Sequence, residues 1–443
     1  MSQELLQPSS ASGCTLPLTQ PVAAAERFQS IDILRGIAVL GILVINIEFF
    51  AYPMMVPFNP TLTGGFTGLD LIAWKFGSLF FLEKMISIFS MLFGAGVVLM
   101  YQRAEAAQRT FRGVYYRRTL WLLLIGLLHA YLFWYGDILF AYALTGLLLY
   151  PLRRKSPRLL IILAAVFLVI GLLIHIGSGL SFQMLQSEAA KAEQASASGQ
   201  ELTLSQKELA EAWRQISTAF NPRPEELARE TDAYRGGYGQ IFRFRASQSL
   251  MMQTQGLIVR AFWRVMGLML LGMALMKLGV FSASRTNRFY SILSVVGLGV
   301  GLPLVGYGIG QLTSHNFGFI HFFGMGGIFN YVGSIFVSLG YVGAVMLAYK
   351  TGFLKWLQMR LAAVGRAALS NYLTQTLICT TIFYGYGVGL FGRVNRSALL
   401  AIVVAVWIFL VIVSNWWLSR YRFGPAEWLW RALTYRTRPQ MRI

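Results

Sequence analysis

The stretch LLHAYLFWYGDILFAY, Leu127–Tyr142, sets a histidine and an aspartate in an otherwise apolar run. Read through, it belongs to one 32-residue helix. Read with a break at Tyr135-Gly136-Asp137, it is a tight hairpin between two short helices. The break is favoured, because glycine next to aspartate is a turn signal and aspartate caps the helix that follows. The same reading, carried outward, gives apolar runs near 33–52, 79–100, 119–135, 138–152, 159–177, 259–279, 290–312, 328–349, 369–390 and 399–418. Of the 443 residues 56% are hydrophobic and 13% charged, against roughly 25% charged in soluble domains. The expected fold class is therefore an all-α integral membrane protein, a polytopic bundle of about ten transmembrane helices with a small helical outer loop.

Orientation follows from the basic residues of the connections. Alternate connections carry Arg103, Arg109, Arg112, Arg117 and Arg118, then Arg153, Arg154, Lys155 and Arg158, then Lys277, Arg285 and Arg288, then Lys350, Lys355, Arg360 and Arg366. Connections one, three, seven and nine have Lys75, Arg393 and Arg396 among them. Both termini are expected on the cytoplasmic side. The formal charge of +20 then reads as a topology signal and a contact with anionic membrane lipid, not as a nucleic-acid interface. Residues 1–26, including Cys14, read as a disordered cytoplasmic tail, and 419–443 as a basic one. The membrane part divides into 27–177 and 259–418, five helices each. Between them, 178–258 holds eight Lys/Arg against nine Asp/Glu and reads as an outer helical loop, of which about 188–235 is expected to be dispensable for insertion. SQKE, Ser205–Glu208, would open one helix as a capping box and NPRPEELARE a second, stopped by Gly236-Gly237, after a floppy Ala/Ser/Gln segment at 188–200.

Placed on this topology, His129 and Asp137 meet at the outer hairpin. There a carboxylate can fix the imidazole tautomer and raise its basicity, making His129 a proton acceptor and Asp137 its orienting partner. Asp137 as a plain helix cap and His129 as an interfacial residue is the alternative. Arg35 and Asn46 are eleven residues apart, about three turns and ~16 Å along one face; a topogenic arginine and a packing asparagine is the other reading. At the second run, Glu83 points into the bundle and Lys84 snorkels outward. Asn371 and Gln375, one turn apart in SNYLTQT, form a polar stripe that lines a site or joins helices. His175, His315 and His321 are weaker candidates. The glycines of YGYGVGLFG mark a bend, and GMGG lacks the strand a dinucleotide site needs. No metal-ligand spacing and no G-x-S-x-G elbow is present; neither metal nor tightly bound cofactor is expected, and oligomeric state is not legible.

Taken together, RFQSIDILRGIAVLGILVINI, SMLFGAG, LLHAYLFWYGDILFAYALTG, VGRAALSNYLTQTLI and RFGPAEWLWRALTY resemble the YeiB family of bacterial inner-membrane proteins, catalogued as a domain of unknown function, over about 27–436. The family's C-terminal segment would be about 236–436. The opening of the first helix is more distantly similar to the membrane acyltransferases, the acyltransferase-3 and heparan glucosaminide acetyltransferase proteins. Arg35 falls on the arginine of the acyltransferase-3 Arg-x10-His pattern, with Asn46 where the histidine stands; the heparan-type enzymes carry Asn there and a histidine soon after, which this chain lacks before His129. The resemblance implies transfer of an acyl group from acyl-CoA (acetyl-CoA), its phosphates near Arg35, to a lipid, glycan or small-molecule acceptor outside. A transporter and a non-catalytic scaffold are the rival readings.

Overall fold

The computed structural model of the protein describes residues 28–64 and 66–443; the expected tail at 1–26 lies outside them. The chain is helical throughout: α1 (Gln29–Ala51), α2 (Gly68–Phe80), α3 (Lys84–Ala106), α4 (Arg112–Leu132), α5 (Leu139–Leu147), α6 (Pro157–Ala197), α7 (Leu204–Phe220), α8 (Pro224–Arg235), α9 (Tyr238–Met251), α10 (Phe262–Lys277), α11 (Asn287–Ser314), α12 (Phe319–Phe323), α13 (Met325–Thr351), α14 (Lys355–Arg366), α15 (Ala368–Phe383), α16 (Arg396–Leu418) and α17 (Pro425–Tyr435). A π-helical segment, Met252–Ala261, joins α9 to α10.

Each of the ten expected runs coincides with a helix. By length and composition, six helices among the described residues can cross a membrane: Gln29–Ala51, Gly68–Ala106, Pro157–Ala197, Asn287–Ser314, Phe319–Thr351 and Arg396–Leu418. The pair Tyr238–Val259 and Phe262–Lys277, bent by 63°, makes up to seven. This is a polytopic membrane protein. The runs at 119–135, 138–152 and 369–390 meet the test less well for physical reasons. Arginines occupy the first half of α4, and α5 has nine residues, about 14 Å of rise. The ninth run holds only α15, whose 16 residues end at Phe383, about 24 Å of rise.

Glycines set the closest crossings. A Cβ on Gly94 of α3 would strike the Met269 carbonyl of α10, and one on Gly272 of α10 would strike that of Met91. Gly36 and Gly365 do the same for α1 and α14. Backbones in such contact gain dispersion energy that lipid cannot compete for. Elsewhere α11 pairs with α13, and α10 also packs on α6.

The loop region departs from expectation in two ways. Residues 188–197 are not floppy: α6 runs unbroken for 41 residues, because its Ala, Glu, Lys and Gln are strong helix formers. The capping box is Thr203 with Gln206, not Ser205 with Glu208. Two overlapping S/T-x-x-E/Q patterns exist there, and the helix starts at the earlier one. The second helix, α8, does end at Gly236.

Candidate functional site

His129 lies on the last turn of α4, whose terminal carbonyls have no partner within the helix. They are capped from α9. Arg245, fully buried, donates from Nε to Tyr131 O (3.1 Å), from Nη2 to Leu132 O (2.8 Å) and from Nη1 to Phe133 O (2.9 Å). Ser249 Oγ donates to Ala130 O at 2.9 Å and Tyr238 OH to Leu132 O at 2.9 Å. The chain then turns, and Asp137 Oδ2 accepts from Phe140 N–H at 2.7 Å, capping α5. The other oxygen, Oδ1, is 2.8 Å from His129 Nδ1. A carboxylate in its ionised form only accepts, which would put the proton on Nδ1 and leave Nε2 its lone pair. Nε2 in turn lies 2.9 Å from Thr376 Oγ1 on α15. The chain does turn between α4 and α5, and Asp137 bonds both the Phe140 amide and the His129 ring.

A cavity of about 2400 Å³ opens beside this chain. Tyr135, Gly136, Asp137 and Ile138 belong to its wall but His129 does not. The imidazole and the carboxylate are 2% and 1% exposed. The hairpin is thus a partition between cavity and imidazole. Asn46, Glu48 and Glu83 also line the cavity. Glu48 pairs with Arg396 at 3.3 Å, and Glu83 lies 3.4 Å from the Arg264 guanidinium. Lys84 does not snorkel, contrary to expectation. Glu83 has φ 64°, which breaks α2 from α3. Lys84 is fully buried, its Nζ donating to Ser78 O (2.7 Å) and Asn330 Oδ1 (2.9 Å).

The remaining sequence candidates lie elsewhere. Arg35 pairs with Asp32 one turn away at 2.9 Å and is not in the cavity wall. Asn371 donates to Val364 O (2.9 Å) and to Ser414 Oγ (3.0 Å), and Gln375 to Val39 O (2.9 Å). Both side chains are buried between helices, away from the wall. His315, at the C-terminus of α11, and His321, on α12, stack with ring centroids 3.7 Å apart. Among the described residues no group of three or more His, Cys, Asp or Glu is placed to hold a metal.

Comparison with known proteins finds relatives over nearly the whole chain. Residues 275–437 match the family described as "Protein of unknown function (DUF418)". The chain is 31% identical over 417 residues to "Uncharacterized protein YeiB" of Escherichia coli K12, covering 93% of this chain and 97% of that one. The chain belongs to the DUF418 family. A second relative, "Uncharacterized protein YxaH" of Bacillus subtilis 168, is 31% identical over 431 residues, 94% of this chain and 96% of its own. A third, from Bacillus acidopullulyticus, is 24% identical over 94% and 96% of the two chains. No solved structure matches.

In this DUF418 chain several groups escaped the sequence reading. Arg264 donates to Tyr331 O, Ser87 Oγ and Ser334 Oγ from inside the bundle. It stands in the sixth apolar run, where any charge is a signal. Arg396 was counted as a loop charge, yet it is buried against Glu48. Thr376 was quoted within SNYLTQT without a role. Arg245, between Phe244 and Ala246 in a segment with several arginines and bonded to backbone carbonyls, carries no local signal of its partners.

Proposed function

We propose that this membrane protein is an acyltransferase, moving an acyl group from cytoplasmic acyl-CoA to an acceptor on the outer side of the bacterial inner membrane, with both termini cytoplasmic. The observation that carries the reading is an imidazole oriented by a buried carboxylate, with its lone pair on a hydroxyl, behind the wall of a large cavity. An acceptor hydroxyl taking the place of Thr376 Oγ1 would give its proton to Nε2 as its oxygen bonds to the acyl carbon. The thioester C–S bond breaks, the proton passes to the CoA thiolate, and Asp137 stabilises the transient imidazolium. Displacement of the Tyr135 and Ile138 side chains, with Asp137 held on His129, would join cavity to imidazole. Asn46, in the cavity wall, is the amide available to polarise the thioester carbonyl. Arg35 would hold donor phosphates from the opposite end of α1, ~16 Å away.

The test is release of free CoA thiol from acetyl-CoA by purified protein supplied with a membrane lipid extract. Release that His129→Ala abolishes supports the reading; no release above buffer from folded wild type sinks it. A transporter is the second reading. What favours it is that two helices break beside the cavity, at Glu83 and at the π-helical segment Met252–Ala261, as transporter helices do at substrate sites. Accumulation of a solute in sealed vesicles without acyl-CoA would decide for it.

A further inference from the structure

The cavity is two to eight times the size of an ordinary small-molecule site, which holds roughly 300–1,000 Å³. Its wall is also graded. Ile42, Ile45, Met85 and Val265 supply an apolar stretch among the bundle helices, whereas Arg229 and Arg243 stand where α8 and α9 cover it. On one flank the wall is thin. Met251 and Val259 line the cavity and are 36% and 51% exposed in all. Their neighbours Leu250 and Ile258 are exposed too. In a membrane-spanning chain such apolar exposure faces lipid, so the cavity borders the bilayer at the π-helical bend.

The polar end has a sign. Arg223 is tied to Glu226 at 3.2 Å. Glu230 is already engaged, accepting from Met54 N–H (3.0 Å) and Gln248 Nε2 (2.8 Å). Arg229 and Arg243 have no carboxylate partner among the described residues. We infer that the cavity binds an anionic membrane lipid with a phosphate headgroup at Arg229 and Arg243 and an acyl chain along Ile42, Ile45, Met85 and Val265. The lipid enters past Met251 and Val259. Binding stands on the cavity alone; that this lipid is the acceptor rests on the acyltransferase reading.

The experiment uses the full chain in detergent and measures affinity for dioctanoyl phosphatidylglycerol, dioctanoyl phosphatidylcholine and sn-glycerol 3-phosphate. Phosphatidylglycerol is expected to bind about tenfold or more tighter than the choline lipid, as a charge-assisted contact allows, and glycerol phosphate not measurably. Arg229→Gln with Arg243→Gln, both at exposed positions, should remove the preference without unfolding the protein. Ile45→Trp should weaken both lipids. Equal affinity for the two lipids, a preference that survives the double variant, or tight binding of glycerol phosphate overturns the inference. Lipid preference without CoA release leaves this site and removes the acyltransferase; CoA release with a water-soluble acceptor and no lipid preference does the reverse.

Discussion

Arg245 and Glu427 do the same work at opposite poles. Each comes from a distant helix to satisfy the loose end of one that carries part of the His129 chain. Arg245 closes the carbonyl end of α4, which bears His129. Glu427, on α17, accepts from the Leu369 and Ser370 N–H groups at 2.6 and 3.2 Å, closing the amide end of α15, which bears Thr376. Both match the helix dipole, a cation at the C-terminus and an anion at the N-terminus. They differ in that a guanidinium keeps its charge at any biological pH while a carboxyl titrates. One end of the site is fixed, and the other is tunable.

The largest expected effect lies where the two capped helices meet. On the acyltransferase reading, His129→Ala should lower turnover per folded molecule by about 10²–10⁴-fold at unchanged membrane abundance. Wild-type turnover would reduce the imidazole to a tie between α4 and α15.

Arg245→Met comes next. It strips donors from three part-buried carbonyls, of which Leu132 O keeps Tyr238 OH; two left unpaired at ~1–3 kcal/mol each give an expected loss of about 2 kcal/mol or more. Thermal unfolding should show it, with faster amide exchange over residues 130–136. A variant as stable as wild type would mean that water or Tyr238 and Ser249 suffice.

Glu427→Gln should be milder, about 1 kcal/mol, and is best read against pH. Burial raises the Glu427 carboxyl above its ordinary value, outweighing the hydrogen bonds from Ser370 and Leu369 that lower it. The folded chain therefore holds this proton when the unfolded chain has lost it, and stability falls as pH rises from the ordinary glutamate value to the raised one. Glu427→Gln should flatten that part of the melting-temperature profile; an unchanged slope assigns it to other groups. The smallest effect belongs to Asp137→Asn, nearly silent in stability because Asn caps as well as Asp, while Asp137→Ala should cost ~1 kcal/mol. If Asn and Ala unfold alike, the bond to Phe140 N–H is not a working cap.

What the sequence disclosed follows from the range of the interactions. Helices declare themselves through local apolar runs, so every expected run has one. His129 and Asp137 were legible as a pair because eight residues and one turn separate them. Arg245 was not, since its partners are backbone carbonyls 112–114 residues away, and a carbonyl has no letter in the sequence. Lys84 was misplaced because a positive φ at Glu83, a residue that seldom adopts it, restarts the helix in a new direction. The Ala-rich end of α6 was misread for a third reason: low complexity resembles disorder, yet its composition favours helix.

That end of α6 makes bilayer thickness a geometric input. Its apolar part, 157–177, rises about 31 Å, close to the ~30 Å hydrocarbon core, and the helix continues without a joint to Ala197. A thinner membrane is met by tilting such a helix. With ~30 Å of rod beyond the core, a tilt of about 20° swings its tip ~10 Å sideways. α7 is packed along that rod and Ile216, Ala219 and Phe220 of α7 form part of the cavity wall, so the roof over the cavity travels with the thickness of the lipid around it.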